Sequence, residues 1–434
     1  MAHMMRTAER TNQDTDEDIG KDTDQAIAQA KEQPPGPTED EAADLLINWE
    51  VVEHASRTLV PPGPKLSARE AAVEVSALRA AALAAVDHVH RISRIPAAEG
   101  LGADPEDTLI VDRPTWSRAN ARTFRRILAP SLKAALESKP DMLREGSSSQ
   151  VFGSALTGTE MGGILAFLSA NVLGQFDPFA PGPRQGTQGQ LMLVAPNMVE
   201  VRRQLNLEPE DFRLWVCLHE QTHRVQFAAA PWLPEHLMSL METMSTTTLG
   251  AGDVLSERLR EAFAQVKDEM REARGSSRAE RRARRRAERG QQRDADGDVV
   301  PPRNRVLEVI ATEEGREAFS QATAVMSLLE GHANHIMDHV DSSIVSSVKT
   351  IRRRFDARAQ NRGVLERLIR RMLQLDVKAR QYVDGQRFVG HVVERVGMED
   401  FNRIWESPET LPSEHELHNP DRWIARMGLS PTAA

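Results

Sequence analysis

Residues 214–227 read LWVCLHEQTHRVQF and contain the pattern HExxH at His219, Glu220 and His223. No proline or glycine interrupts the stretch, and most of its other residues are apolar, which predicts a buried helix. Residues i and i+4 lie on one face of a helix, so both imidazoles can reach one metal ion. Glu220 lies beside them, where its carboxylate can hold a metal-bound water molecule. The pattern therefore predicts a zinc site in which Glu220 is the general base of a hydrolase.

The alternative for this pattern is a surface helix with two ordinary histidines. The apolar residues around the motif argue against it, because buried imidazoles and a buried carboxylate need partners. A metal ion would satisfy all three side chains at once. Cys217 lies two residues before His219 and therefore on another face of the helix, so we assign it to the core.

The composition favours a mainly α-helical protein in a reducing cellular compartment. The chain has 434 residues, 4% of them aromatic, and long stretches lack proline and glycine. The net charge of -9 gives no argument for nucleic acid or a membrane as a partner. The single cysteine excludes an intrachain disulfide and fits a reducing compartment, and no apolar secretory segment is visible. We therefore expect a cytoplasmic protein without a membrane span.

The composition also divides the chain into four parts. Residues 1–42 are acidic and polar without apolar periodicity, which predicts a disordered tail. Residues 43–249 form an N-terminal helical region that contains the HExxH helix. Residues 250–304 form a charged, flexible insert, whose arginine run could contact nucleic acid but is more typical of a solvated helix. Residues 305–434 form a C-terminal helical region that completes the zinc site.

A catalytic zinc ion needs three protein ligands and one open position, so a third ligand must come from elsewhere. The best candidate is Glu330, which follows two leucines on a predicted helix and precedes a glycine that allows close backbone approach. His332 and His335 are alternatives, and His335 forms a second i, i+4 pair with His339. The residues also leave open that this segment supplies no third ligand.

Three residues are candidates for supporting roles. Asp338 lies eight residues after Glu330 and could accept a hydrogen bond from a ligand histidine, or could be an ordinary surface acid. His332 is a second candidate for this outer layer if it does not bind the metal. Tyr382 is the only tyrosine in the chain, and its phenol could stabilise an oxyanion. Its alternative is a tyrosine of the core or the surface.

HEQTH at residues 219–223, together with Glu330-Gly331-x-Ala333, resembles the gluzincin side of the zincin superfamily. More closely, the chain is similar to a bacterial zincin-like family of zinc-dependent metalloproteases, some of whose members are associated with biosynthesis of the deazaflavin coenzyme. The stretches that carry this resemblance extend from about residue 45 to residue 426 and include Leu59-Val-Pro-Pro-Gly-Pro, Asp112-Arg-Pro-x-Trp116, Val172-Leu-Gly-Gln-Phe-Asp-Pro178, Leu193-Val-Ala-Pro-Asn197, Leu328-Leu-Glu-Gly-His332, Arg380-Gln-Tyr382 and Trp405-Glu-Ser-Pro-Glu-Thr410.

The resemblance implies a mainly α zincin-like fold with a small β-sheet and Zn²⁺ bound by His219, His223 and Glu330. It also implies a peptide or protein substrate, cleaved with Glu220 as the base. The rival from another class is a non-catalytic, zinc-stabilised scaffold or binding protein tied to a coenzyme pathway. Glu220 discriminates between the two, because a structural zinc site has no use for a free carboxylate beside the metal.

One strand is expected near the site. Leu191–Pro196 is a short apolar run that follows a loop rich in glycine, proline and glutamine and ends at a proline. By analogy with zincin architecture, this run would be the edge strand above the zinc site, against which an extended peptide could pair.

Overall fold

The computed structural model describes residues 37–102, 104–138, 148–184, 187–247, 312–360 and 375–430. Within these ranges the protein is mainly α-helical with a three-stranded sheet, which confirms the predicted fold class. The helices are α1 (Glu39–Leu46), α2 (Trp49–Leu59), α3 (Ala68–Ser93), α4 (Arg113–Ser138), α5 (Ser148–Ser169), α6 (Ala195–Gln204), α7 (Pro209–Ala229), α8 (Leu233–Thr246), α9 (Glu313–Asp338), α10 (Val348–Gln360), α11 (Leu375–Val396), α12 (Met398–Phe401), α13 (Glu414–His418) and α14 (Pro420–Arg426). The strands are β1 (Thr108–Val111), β2 (Gly174–Pro181) and β3 (Gln188–Val194).

Side-chain caps explain where two of the N-terminal helices begin. Ser67 and Glu70 form a capping box at the start of α3, since each side chain bonds the other residue's backbone N–H. Thr38 and Glu41 form the same motif at the start of α1. Helix α1 therefore begins inside the segment for which the composition predicts a disordered tail, whereas residues 1–36 lie outside the described residues.

The sheet has the strand order β1-β3-β2. β3 pairs in parallel with β1, with Thr108 opposite Leu191, and antiparallel with β2, with Gly174 opposite Leu193. The expectation of an edge strand at Leu191–Pro196 is wrong, because this strand is central and ends at Val194, where α6 begins. Its continuous apolar run has a physical reason: a central strand that is covered on both faces buries successive residues.

The larger hydrophobic core joins both predicted helical regions. Helix α3 packs on α7, α7 on α9, and α9 on α11, and this core includes the fully buried Phe212, Cys217 and Phe388. A second, smaller core lies between α1, α2, α4 and α5. The two halves of the metal motif therefore belong to one packed unit, although the residues between them, 248–311, lie outside the described residues.

Helices α9 and α11 cross with their backbones in contact. A Cβ atom added at Gly331 would lie 2.2 Å from the carbonyl carbon of Gly385, and one at Gly385 would lie 2.0 Å from the carbonyl oxygen of Ser327. Both positions therefore require glycine. This is the close approach expected at Gly331, and it fixes the position of the helix that carries Glu330.

Helix α5 packs closely on α2 in the smaller core. A Cβ atom at Gly162 would lie 2.6 Å from Cβ of Ala55, so glycine sets the separation of these helices. No helix within the described ranges combines the length and the hydrophobicity that crossing a bilayer requires.

Candidate metal centre

The two histidines of the HExxH motif lie side by side on α7. Helix α7 begins with a proline and two acidic residues in its first turn, which suit a helix N-terminus. The Nε2 atoms of His219 and His223 lie 3.3 Å apart, and the planes of the two rings are at 89° to each other. The spacing of one helical turn thus brings both imidazoles to one point, as the motif predicts.

Helix α9 brings Glu330 to the same point. Its Oε1 lies 3.7 Å from Nε2 of His223, and its Oε2 lies 3.9 Å from Nε2 of His219. One ligand atom from each of the three residues lies within 4.8 Å of the others. Among the residues that the structure describes, no other group of three His, Cys, Asp or Glu side chains is so arranged.

The other histidines of α9 do not join this group. His332 is fully buried between the rings of Phe401 and Trp405, with ring centroids 5.6 Å and 5.4 Å away. His335 and His339 contact each other instead, and Nδ1 of His339 lies 2.8 Å from the carbonyl oxygen of His335. The geometry therefore singles out Glu330 from the alternatives on this helix.

The three side chains fit a zinc ion in both spacing and chemistry. Zinc holds His nitrogen and carboxylate oxygen at about 2.0–2.2 Å, so tetrahedral ligands lie roughly 3.3 Å apart. The observed separations of 3.3, 3.7 and 3.9 Å are close to this value. Burial, reinforced by the neighbouring His223, lowers the pKa of His219 to about 4. The imidazole of His219 is therefore neutral near pH 7, as metal binding requires.

Glu220 lies beside these ligands in an apolar setting. It is 8% exposed, and a Cβ atom added at Gly174 on β2 would lie 2.7 Å from its Cγ. The missing side chain at Gly174 thus lets β2 approach the HExxH helix. Burial raises the pKa of Glu220 to about 7; it overcomes the opposing effect of His223, and the Glu330 carboxylate adds a smaller contribution in the same direction as burial. A carboxylate with such a pKa can both take up and release a proton near neutral pH.

A buried glutamine contacts His223 and the backbone next to Glu330, on the side away from the point where the three candidate ligands meet. Oε1 of Gln226 lies 2.9 Å from Nδ1 of His223, and its Nε2 lies 2.8 Å from the carbonyl oxygen of Leu329 and 2.9 Å from Nδ1 of His332. Reasoning from the sequence missed Gln226. The available signal was a polar residue three positions after His223, near the same face of an otherwise apolar helix.

Asp338 does not lie at the site, and the structure corrects the role expected for it. Its side chain is 54% exposed and contacts Arg352, at 3.6 Å, and Gln386, at 2.5 Å. Eight residues correspond to about 12 Å along a helix axis, which takes Asp338 too far from Glu330. Gln226, and not Asp338, contacts the imidazole of His223.

Tyr382 lies on α11, but its side chain is outside the described residues. Its expected role as an oxyanion donor therefore stays a prediction. The charged insert at residues 250–304 also lies outside the described ranges.

The chain is similar to a protein family and to a solved structure. A family model described as "Zincin-like metallopeptidase" matches residues 47–424. A crystal structure from Chloroflexus aurantiacus, described as "a putative hydrolase with a novel fold", is similar with a TM-score of 0.57 and 26% sequence identity; the match covers 88% of this chain and 99% of that one. A search of curated proteins found no match.

Proposed function

Because the chain belongs to the zincin-like metallopeptidase family, we propose that it is a zinc-dependent hydrolase that cleaves peptide or protein substrates. His219, His223 and Glu330 would hold the metal, and Glu220 would be the general base. The observation that supports this most is a buried carboxylate, Glu220, next to three converging donors from two helices. A zinc ion bound there would supply a Lewis acid for a carbonyl oxygen and would make a water molecule more acidic.

Glu220 has two tasks in this proposal. Its carboxylate takes a proton from the attacking water molecule and then passes that proton to the leaving amine of the cleaved bond. The pKa of about 7 suits both steps, because neither the protonated nor the ionised form is strongly disfavoured at neutral pH. The close contact with Gly174 holds the carboxylate against β2.

Strand β2 replaces β3 as the strand that would bind an extended substrate. The backbone N–H of Val194 donates to the carbonyl oxygen of Leu173 across the β2–β3 pair. Because hydrogen bonds alternate in an antiparallel pair, Gly174 and Phe176 then direct their backbone groups away from β3. In the described part of the chain no strand pairs with this outer edge. A peptide could therefore pair there, beside Gly174, the residue that lies against Glu220.

Two aromatic rings contact each other between β2 and α7. Phe176 of β2 and Phe227 of α7 contact each other with ring centroids 5.5 Å apart. Phe227 lies one helical turn beyond His223, on the face that carries the metal ligands. The pair would provide an apolar wall for a substrate side chain beside the metal group.

The substitution Glu220→Gln tests this proposal. We expect the variant to keep the zinc content of the wild type but to lose hydrolysis by about 10²–10⁴-fold, since it removes the base and leaves the ligands in place. Cleavage would be followed by mass spectrometry on a peptide library, and zinc by elemental analysis. The exposed Glu235 on α8 provides the matched control, and Glu235→Gln should cleave like the wild type.

The outcomes separate the two classes of function. If Glu220→Gln cleaves peptides at the wild-type rate, the assignment of the base is wrong. If the wild type binds zinc at these ligands but cleaves no peptide in the library, the non-catalytic scaffold is the better description.

A further inference from the structure

Gln226 makes three contacts that connect the two halves of the metal group. It is fully buried on α7, and its amide touches Nδ1 of His223, the carbonyl oxygen of Leu329 and Nδ1 of His332. We propose that Gln226 is a positioning residue that presets His223 for metal binding and holds the two ligand-bearing helices at a fixed separation. This inference rests on the zinc site of the proposed function.

The three contacts leave one arrangement of the hydrogens. A backbone carbonyl oxygen can only accept, so the amide nitrogen of Gln226 must face Leu329. Its second hydrogen goes to Nδ1 of His332, which accepts and so leaves the proton of that ring on Nε2. The amide oxygen then faces Nδ1 of His223, and this nitrogen must carry a hydrogen. Nε2 of His223 therefore presents a lone pair to the other two ligands.

This arrangement prepares His223 before any metal arrives. A metal ion binds imidazole through a lone pair, and a hydrogen bond to the opposite nitrogen fixes both the tautomer and the ring orientation. Without that bond, the ring could turn or carry its proton on Nε2, and either change would have to be reversed on metal binding.

The contact with Leu329 links the helices directly. Leu329 is the residue before Glu330, so the bond from Gln226 holds the backbone of the third ligand close to α7. His332 holds the amide from the other side and is itself enclosed by Phe401 and Trp405. Gln226 thus sets the distance across which Glu330 reaches His219 and His223.

The substitution Gln226→Met tests the proposal with zinc alone as the probe. We expect zinc to bind about 10–100-fold more weakly, as is typical when a partner of a ligand histidine is removed. Affinity would be measured by competition with a chromophoric chelator. Gln221 provides a matched control, because it is also fully buried on α7 but donates to the carbonyl oxygen of Ala82, on α3. Gln221→Met removes a similar buried hydrogen bond, and its zinc affinity should equal that of the wild type.

The tautomer of His223 gives a second readout, which needs neither activity nor metal. Two-bond ¹H–¹⁵N spectra of histidine-labelled, metal-free protein should show the His223 proton on Nδ1 in the wild type and in Gln221→Met. In Gln226→Met the same ring should show a mixture of tautomers.

The results distinguish this inference from the proposed function. If the wild type binds no zinc, the proposed function fails, whereas the spectra still test the tautomer. If Gln226→Met binds zinc as tightly as the wild type, or if His223 of the wild type carries its proton on Nε2, the positioning role is overturned.

Discussion

Cys217 has a thiol, a group that can bind zinc, but its position in the structure makes it a core residue. It is the only cysteine in the chain, it is fully buried in the larger core, and it lies outside the group formed by His219, His223 and Glu330. Burial raises the pKa of its thiol far above the ordinary value, so almost none of the reactive thiolate is present at neutral pH.

We therefore expect the thiol to react with Ellman's reagent only when the protein unfolds. Labelling of the native protein should be at least about a thousandfold slower than labelling in denaturant, because a typical domain unfolds only rarely. Rapid, stoichiometric labelling of the native protein would show that Cys217 is accessible and would reopen the question of its role.

Single residues differ in how far the sequence alone can place them. His219, Glu220 and His223 lie within five residues on one helix, and helical periodicity is sufficient to predict their relative positions. Glu330 could be proposed only from its chemistry, as a carboxylate in an apolar segment, because its distance from α7 depends on tertiary packing. One of the partners of Gln226 is the backbone carbonyl of Leu329, and no sequence pattern encodes such a contact.

The strands show why element type is easier to predict than element position. β3 is recognisable as a strand because its residues are continuously apolar, but the same property marks it as central. β2 contains Pro178 and the polar Gln175 and Asp177, which give a weak strand signal. Edge strands tolerate such residues because one row of their backbone groups is unpaired. The strand next to the metal group was therefore the one that periodicity did not reveal.

The crossing of α9 and α11 gives a prediction for the position of Glu330. In Gly385→Ala the new methyl group would meet the carbonyl oxygen of Ser327 at 2.0 Å, so α9 and α11 must separate. We expect a loss of about 1–3 kcal/mol in the free energy of unfolding, the usual cost of overpacking. Zinc affinity should also fall, because α9 carries the third ligand. Urea denaturation and zinc titration would measure the two effects.

Gly390 on the same helix is the control for this substitution. A Cβ atom there has ordinary space, with Nδ1 of His335 as its nearest neighbour at 4.0 Å. Gly390→Ala should therefore be neutral or stabilise the protein by up to about 1 kcal/mol, since alanine favours a helix over glycine. Equal behaviour of the two variants would contradict the close crossing.

At the scale of the whole molecule, the sequence predicts the fold class but not how the helical regions pack on each other. Low aromatic content and long stretches without proline and glycine favour helices, and the described structure is mainly helical. The charged segment at 250–304 lies between the two helical regions in the sequence. The larger core contains residues from both regions, including Val216 and Leu328. Composition reports where a chain lacks apolar residues, but it does not report which apolar surfaces on either side meet.

This shared core links metal binding to the stability of the entire molecule. The ligands come from α7 and α9, so the complete group exists only when both helices are packed together. A ligand that binds only the native state stabilises it by about 2.7 kcal/mol at a free concentration of 100 times its Kd, and by about 1.4 kcal/mol more for each further tenfold. We expect the free energy of unfolding, measured by urea denaturation, to rise with buffered free zinc by this amount and to fall when a chelator is added.

Two substitutions on α9 show whether this linkage runs through the proposed ligands. Glu330→Gln removes the proposed third ligand, so the free energy of unfolding should lose most of its dependence on zinc. Asp338→Asn alters an exposed acid that pairs with Arg352, and this variant should keep the full dependence. One outcome would contradict the proposed ligands. If Glu330→Gln keeps the full dependence and His335→Gln loses it, zinc binds at the second histidine pair of α9, and the division of the site between α7 and α9 is wrong.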